Sequence, residues 1–258
     1  MNWSRVKAVA RRHWLAQARQ PGYWYILIAL PVLDAIMFAS IGVAYGEDDR
    51  PVAVLVTGIM LFHLVWQLTL NAALGFLEEI WSSNLLNLMT TPLRESEFLA
   101  GLTLISLMRT GVGISLVGLT GAGLYSVNPG SAGLVLIPGA MILLLFGWAV
   151  SLGVIALVLR YGESAEVFSW GFIFLLIPLS GVFYPTDALP GVLQPVSKVV
   201  PITQVFDAIR IGLDGGGVAW ARLGVALAGT VVTAGLAVLL LKKMLRTFRV
   251  KGLVTNFS

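Results

Sequence analysis

Charged residues are scarce in this sequence. They make up 12% of the 258 residues, about half of what an average soluble protein carries, whereas apolar residues make up 57%. A composition this apolar excludes a disordered chain and argues against a water-soluble globule. Several hydrophobic runs are longer than about 18 residues, which is the length needed to cross about 30 Å of hydrocarbon. The sequence therefore predicts an all-α integral membrane protein.

Cysteine is absent, and histidine occurs only at His13 and His63. The absence of cysteine excludes disulfide bonds, thiolate metal sites and cysteine nucleophiles. An isolated histidine such as His63 is more typical of a structural residue than of a ligand, so we predict no metal site. The sequence contains no H-E-x-x-H, G-x-S-x-G or G-x-x-x-x-G-K-[ST] motif, and no catalytic Ser/His/Asp set can be assembled. We therefore predict that the chain is not an enzyme and does not bind ATP by itself.

The positive charges are concentrated near the two ends of the chain, although the net charge is only +4. The two clusters are Arg5, Lys7, Arg11, Arg12 and Arg19 at one end, and Lys242, Lys243, Arg246, Arg249 and Lys251 at the other. Beside hydrophobic spans, such clusters indicate cytoplasmic placement next to anionic lipid. We predict membrane lipid as a partner and no nucleic acid.

Six hydrophobic segments have the length and composition of membrane spans. They are 23–45, 52–75, 98–124, 134–158, 167–184 and 219–241. An even number of spans places both termini on one side, and with the termini inside, 12 of the 17 Lys and Arg residues lie in inner segments and four in outer ones. The first span is too long for a cleavable signal. We expect one transmembrane domain, 1–258, multi-pass in the cell (cytoplasmic) membrane with both termini cytoplasmic.

The segment 1–22 has the pattern of an amphipathic helix that lies in the membrane interface. One stripe is apolar and the other is basic: Trp3, Val6, Ala10 and Trp14, and Arg5, Arg12 and Arg19. We expect the cations to reach the lipid headgroups, and Pro21-Gly22 to break the helix before the first span. The simpler alternative is an ordinary basic flank beside a span.

Two further segments do not fit a simple span-and-loop pattern. The inner loop 76–97 contains an amphipathic run in which Trp81, Leu85 and Leu88 share one helical face, which predicts a short cytoplasmic helix. The outer segment 185–217 contains too many prolines to span and is too apolar for a solvated loop. A pair of short re-entrant helices in the outer leaflet fits both facts.

Three ionisable side chains should share a depth near the membrane midplane. At 1.5 Å per residue, Asp34, His63 and Arg109 each lie about 16 Å or slightly more from the inner boundary. An unpaired charge there costs at least about 2.5–3.5 kcal/mol. We hypothesise that Asp34 pairs with Arg109, directly or through His63 or Gln67. This cluster either fixes helix packing or lines a translocation path, and the sequence leaves both alternatives open.

Three stretches carry a family resemblance that covers nearly the whole chain. They are Pro178–Pro190 with its continuation to Arg210, Glu79–Gly101, and Pro31–Asp34. Together they resemble the permease subunits of type-2 ABC exporters, a group that includes polysaccharide, lipid-linked glycan, nodulation-factor and antibiotic exporters. The resemblance is fairly specific for the family and says little about the substrate.

The resemblance implies six spans with an interfacial helix, a cytoplasmic coupling helix and outer re-entrant helices before the last span. It also implies two permease copies, which we expect to be a homodimer, and two separate ABC ATPase subunits that hold ATP and Mg²⁺, so this chain itself needs no cofactor. The ATPase-docking residues that it implies are Glu78, Glu79, Trp81, Asn84, Leu85, Leu88 and Met89. The residues of the outer re-entrant segment are Tyr184, Pro185, Asp187, Pro190, Pro201, Asp207 and Arg210.

Two functions remain after these exclusions. The first is an ATP-driven exporter subunit that moves a lipid, glycolipid, polysaccharide or hydrophobic drug outward. The alternative is a secondary transporter or channel coupled through the midplane cluster of Asp34, His63 and Arg109. The two differ in energy source, because only the first needs an ATPase partner.

Overall fold

The computed structural model describes residues 1–45, 50–82, 84 and 90–251, and this part of the chain is built of helices joined by short turns. We number the helices in chain order. They are α1 (Trp3–Gln17), α2 (Pro21–Trp24, a π-helical segment Tyr25–Ala29, and Leu30–Tyr45), α3 (Arg50–Trp81), α4 (Glu95–Tyr125), α5 (Leu136–Tyr161), α6 (Glu166–Leu179), α7 (Gln194–Val199), α8 (Pro201–Leu213) and α9 (Trp220–Lys251).

Five helical stretches in the described part are long and apolar enough to cross a bilayer. They are Pro21–Ala44, Arg50–Trp81, Glu95–Tyr125, Gly130–Tyr161 and Trp220–Thr247. These helices confirm an all-α membrane protein. The predicted span 167–184 corresponds to α6, which has 14 residues. Because a helix rises 1.5 Å per residue, α6 alone covers about 21 Å, which is less than the hydrocarbon thickness of about 30 Å.

The helix α3 is the centre of the bundle and packs against α2, α4 and α5. Gly147 of α5 lets the backbones of α3 and α5 approach closely: a Cβ at Gly147 would lie 3.0 Å from the Cα of Val65. The hydroxyl of Thr69 donates a hydrogen bond to the Gly147 carbonyl across the same contact, at 3.2 Å. In a membrane the hydrophobic effect does not drive helices together, so helices associate through small residues that let their backbones approach closely.

The segment 185–217 contains a 3₁₀ turn at Thr186–Ala188, the short helix α7 and the longer helix α8. Pro201 begins α8, where a proline costs no hydrogen bond because the first turn has no partner for that N–H. One face of α8 is apolar and buried against α5 and α9. Its buried residues include Ile202, Val205, Phe206 and Ile209.

The helix α1 lies at one end of the bundle, which we call the α1 end. Its buried face consists of Val6, Val9, Ala10, His13 and Gln17, and it packs on α4. We predicted that the apolar stripe of this helix lies in the membrane interface and that its basic stripe reaches the lipid headgroups. Of that stripe, Val6 and Ala10 are buried against protein, whereas Trp3 is 59% exposed. Arg5 and Arg12 lie beside carboxylates of α4 and α3.

We expect Gly101→Ala to displace α1 from α4. A Cβ at Gly101 would lie 2.6 Å from the Cβ of Val9 and 3.0 Å from the Val6 carbonyl oxygen. Overpacking of this kind costs about 1–3 kcal/mol. The variant should unfold at a lower temperature in detergent, and trypsin should cut faster after the basic residues of α1.

Gly111→Ala is the matched control, because it lies on the same helix and a Cβ there meets nothing within 4 Å. It should leave α1 in place and change the free energy of unfolding by no more than about 1 kcal/mol. Equal proteolysis of α1 in both variants would show that Gly101 is not where α1 docks.

Candidate functional site

Glu79 lies near the end of α3 and is buried, with a side chain that is 1% exposed. Arg12 of α1 places a guanidinium nitrogen 2.8 Å from one carboxylate oxygen, and the Nε2 of His13 lies 3.1 Å from the same atom. The Nδ2 of Asn84 donates to the other oxygen at 2.7 Å. A buried carboxylate needs such partners, since isolated burial would be costly. Glu79 therefore ties α1 to the end of α3.

Glu97 ties α1 to the start of α4 in the same way. One carboxylate oxygen accepts the backbone N–H of Asn2 at 2.7 Å, and the other accepts the backbone N–H of Arg94 at 3.1 Å. Arg5 lies 3.4 Å from Glu97 and also donates to the Pro92 carbonyl at 2.6 Å. A carboxylate in the first turn of a helix also meets the positive end of the helix dipole. The segment between α3 and α4 thus begins and ends at glutamates that hold α1.

The residues expected to dock an ATPase have different surroundings. Glu78, Glu79 and Trp81 belong to the last turns of α3 and not to a separate short helix, because α3 continues to Trp81. Glu78 accepts a hydrogen bond from Gln17, whereas Trp81 is 44% exposed. Asn84 contacts Glu79 as described above. The remaining predicted residues, Leu85, Leu88 and Met89, lie outside the described residues.

The polar residues predicted at one depth fall into two groups. The Nε2 of His63 lies 3.3 Å from a carboxylate oxygen of Asp34. Arg109 instead donates to the side-chain oxygen of Asn71 at 3.2 Å, and its guanidinium lies over the Tyr23 ring, 4.9 Å from the centroid. Within the described part of the chain, Asp34 and Arg109 do not form the ion pair that the sequence suggested.

The two groups contact α2 at different levels. Every Cα–Cβ bond in a helix tilts toward the helix N-terminus. Arg109 therefore leans toward the α1 end, where α4 begins, and reaches Tyr23 at the start of α2. His63 contacts Asp34, which lies farther along α2. Tyr23 and Asp34 are about 16 Å apart along α2, so equal Cα depth does not bring the charged groups together.

Gln67 connects Arg109 to the backbone of α2. Its side-chain oxygen accepts from the Nδ2 of Asn71 at 2.9 Å, and its Nε2 donates to the Ile26 carbonyl at 3.4 Å. Arg109 is 1% exposed, and its Nε and one terminal nitrogen have no hydrogen-bond partner. This buried cation thus keeps unused donors, which an anion or water could accept.

Residues of the outer segment donate hydrogen bonds to the end of α6 and to the turn that follows it. Arg210 donates to the carbonyls of Gly181 and Tyr184 and lies 3.3 Å from Asp207, which also pairs with Arg222 at 2.8 Å. The hydroxyls of Ser197 and Thr203 both donate to the Leu179 carbonyl. The four hydrogen bonds to the Leu179, Gly181 and Tyr184 carbonyls satisfy the end of α6 and the turn after it, where Gly181, at φ +65°, takes the chain away from the helical path.

The other predicted outer residues shape the turns of the same segment. The Tyr184 hydroxyl donates to the Pro178 carbonyl at 2.9 Å, and Pro185 precedes the 3₁₀ turn that contains Asp187. The Pro190 carbonyl accepts the N–H of Leu193 at 2.8 Å. These contacts position the backbone of the segment. Within the described residues, no three His, Asp or Glu side chains lie close enough to hold a metal ion.

Sequence reasoning missed several residues of these sites. Arg12 and His13 were assigned to a lipid-facing helix, and Asn71 and Tyr23 were not singled out. A usable signal was present for the first pair, because four glutamates flank the loop that follows α3 and the basic residues of α1 must find counter-charges. Nothing in the sequence marks Asn71, since an amide in an apolar run is equally suited to many neighbours.

The docking of α1 should weaken as pH rises. Burial lowers the pKa of His13, but the carboxylates of Glu78 and Glu79, 3.6 and 3.1 Å from its ring nitrogens, raise it by more, so the net pKa lies above its ordinary value of 6.5. Arg12 and the Phe98 ring also face this site. A raised folded-state pKa stabilises the fold fully below about pH 6.5 and loses that contribution as pH rises through the folded-state value.

Proteolysis of α1 and thermal unfolding in detergent, each followed between pH 6 and pH 9, measure this effect. His13→Gln should remove most of the pH dependence. His63→Gln, which changes the other histidine of the chain, should leave the dependence in place. Identical profiles for the wild type and His13→Gln would contradict the assignment.

Asn71→Leu should destabilise the protein by about 1–3 kcal/mol, because it removes the hydrogen-bond partner of a buried guanidinium. Arg109→Met in the Asn71→Leu background should recover part of that loss, since two apolar groups leave no polar atom unsatisfied. Denaturant titrations of the two single variants and the double variant measure the coupling. Strict additivity would mean that the two side chains do not interact.

The comparisons with known proteins agree with this architecture. The family model described as ABC-2 type transporter matches residues 4–213. The match begins in α1 and ends at the last residue of α8, so it includes Arg5 and Arg12 of α1, the polar groups of α2–α4 and Arg210 of the outer segment. Among the curated proteins, none matches the chain. Because the matched range covers most of its length, this chain belongs to the ABC-2 type transporter family, as a multi-pass permease subunit.

Proposed function

We propose that this permease is the membrane subunit of an ATP-driven exporter and that a separate ABC ATPase acts on its α1 end. The observation that carries the proposal is the double attachment of α1, through Glu79 to α3 and through Glu97 to α4. A force on the segment between these glutamates would move α1, α3 and α4 together. Coupling of this kind needs contacts that differ between two states, and an ATPase that binds at this end supplies them.

Trp81 is the residue of the described docking set best suited to contact a partner. It is large, apolar and 44% exposed at the end of α3, and an exposed aromatic residue beside buried ion pairs is typical of an interface anchor. Glu79 contributes through its ion pairs and cannot reach a partner directly, because it is buried. We therefore propose two ATPase copies, with ATP and Mg²⁺ in them, one docked on each permease.

The proposed topology has six crossings, with α6 as the fifth. The 3₁₀ segment Gly162–Ala165 leads directly into α6. Four 3₁₀ residues at about 2.0 Å and 14 α-helical residues at about 1.5 Å together cover about 29 Å, close to the hydrocarbon thickness. Six crossings place α1 and the end of α9 on one side. The clusters of Lys and Arg there favour the cytoplasm of a cell membrane.

A second permease copy is proposed because one face of α2 suits lipid poorly. The side chain of Asp34 is 29% exposed, in a helix that is otherwise apolar. A carboxylate that faces hydrocarbon costs at least about 2.5–3.5 kcal/mol. That face is therefore better covered by a second subunit or by an aqueous path than by lipid. An identical copy related by two-fold symmetry would place Asp34 and His63 of both permeases around one path.

The proposed substrate is a lipid, a glycolipid, a polysaccharide or a hydrophobic drug, and the proposed direction is outward. The exposed faces of α2 and α6 carry large apolar side chains, including Tyr25, Leu33, Phe172 and Phe174. Such faces suit a substrate with a hydrophobic portion that moves along the subunit interface. The Asp34–His63 pair offers a polar contact at the middle of the same face.

A secondary transporter remains the second candidate, because Asp34 and His63 form a titratable pair within the spans and Arg109 keeps unpaired donors. Groups of this kind carry protons or ions in transporters. The two candidates predict opposite behaviour without ATP. The exporter should stop, whereas an ion-coupled carrier should continue under a proton or ion gradient.

The test begins with the complex purified from native membrane and reconstituted into vesicles that contain a fluorescent phospholipid. Outward movement of the probe should require ATP and should fall to background when the phosphate-loop lysine of the ATPase is replaced. Trp81→Asp should reduce copurification of the ATPase by about tenfold, because a charge replaces an apolar anchor. Trp220→Asp changes an equally large tryptophan, 68% exposed at the start of α9, and should keep the ATPase bound.

Two results would contradict the proposal. One is full ATPase association in Trp81→Asp, which would remove α3 from the docking surface. The other is probe movement that continues at the wild-type rate with the ATP site disabled and stops in Asp34→Asn, which would favour the ion-coupled carrier.

A further inference from the structure

The cations of α1 form two groups with different surroundings. Arg5 and Arg12 point toward α4 and α3 and are neutralised by Glu97 and Glu79. Lys7 and Arg11 are exposed, and neither has a carboxylate partner in the part of the chain that the structure describes. They are four residues apart, so they lie one above the other on one face of the helix. Both charges are therefore available to a ligand of opposite sign.

An apolar groove of about 290 Å³ lies directly between these two cations and α4. Leu104 and Met108 of α4 line one side, and Ala10 and Trp14 of α1 line the other. Among the described residues, the charged ones that line the groove are Lys7 and Arg11. The groove therefore combines a positive rim with a hydrophobic floor.

The groove lies at the level expected for lipid headgroups. Trp14 packs edge-on against Tyr23 and Trp24, with ring centroids 6.2 and 6.3 Å away. The indole N–H of Trp24 donates to the Ala18 carbonyl at the turn between α1 and α2. Clusters of Trp and Tyr beside the start of a span are typical of the membrane interface.

From these observations we infer that the groove binds one anionic phospholipid, with its phosphate between Lys7 and Arg11 and an acyl chain along Leu104 and Met108. A soluble anion would gain nothing from the apolar floor, and a zwitterionic lipid would gain less from two unpaired cations. The site is distinct from the transport path proposed above, and its occupancy does not depend on ATP or on the direction of transport.

A second groove makes a useful contrast. It is larger, about 640 Å³, and lies between α4, α5 and α9 on the other side of Leu104. Its charged lining residues are Glu95 and Lys242, which have opposite signs. An acyl chain could fill this groove as well, but its rim offers no surplus positive charge. It therefore does not select an anionic headgroup.

The experiment measures the ratio of phosphatidylglycerol to phosphatidylcholine, with identical acyl chains, that the detergent-purified full chain retains in native mass spectrometry. The wild type should prefer phosphatidylglycerol. Lys7→Gln with Arg11→Gln should lower that ratio about tenfold, since two cations near the headgroup are lost. Lys7→Arg with Arg11→Lys, which keeps both charges, should show the wild-type ratio.

Lys243→Gln with Arg246→Gln is the matched control. It removes two exposed cations from the same end of the molecule, and neither residue lines the groove. This variant should keep the wild-type ratio. Met108→Trp, which adds bulk at the groove wall with the cations intact, should lower retention of phosphatidylglycerol. Unchanged thermal unfolding shows that each variant is folded, because all of the substituted side chains are exposed.

Three outcomes would overturn the inference. The first is an unchanged ratio in Lys7→Gln with Arg11→Gln, and the second is an equal fall in the control, which would indicate general attraction of anionic lipid. The third is displacement of the lipid by millimolar glycerol 3-phosphate, which would assign the cations to a free phosphate. A chemical acylating reagent tests for a protein partner. The inference would also be overturned if the copurified ATPase protected the Lys7 amine from this reagent and phosphatidylglycerol did not.

Discussion

The ion pairs of α1 with Glu79 and Glu97 are the contacts on which the rest of this permease depends. A carboxylate at the end of α3 and another at the start of α4 are both satisfied by one amphipathic helix. Removing a partner from a buried charge is costly, whereas the intact network has every oxygen near a donor. Three helices therefore behave as one unit at the end of the bundle where an ATPase is proposed to act.

The polar groups inside the bundle follow a second constraint. A charge in an apolar environment must find a partner, and the polar groups at its own level decide which partner is within reach. Residues of similar depth on different helices therefore need not pair with one another. The Asp34–His63 pair and the Arg109–Asn71–Gln67 network are two separate polar layers for this reason.

Hydrophobicity and length were enough to predict the long helices, and the family resemblance agreed with the family match over residues 4–213. The helices extend beyond the apolar runs, as α3 does by continuing to Trp81, since hydropathy marks the membrane-embedded part and not the helix end. The amphipathic stripe of α1 alone does not predict its partners, because such a stripe fits lipid and protein equally well. Asp34 and Arg109 form no direct ion pair among the described residues, because residue counting places Cα atoms and not the ends of long side chains.

The π-helical segment Tyr25–Ala29 gives α2 a particular sensitivity. It lies between Tyr23, which faces Arg109, and Asp34, which faces His63, and it leaves the Ile26 carbonyl available to Gln67. Each residue of an α-helix rotates the chain by about 100° about the helix axis. The extra residue in the π-helical turn therefore sets the rotation of one end of α2 relative to the other. If that turn relaxed to regular α-helix, or moved along α2, only one of the two polar layers could keep its contact. The two layers are therefore linked through the winding of a single helix, without any direct contact between their charges.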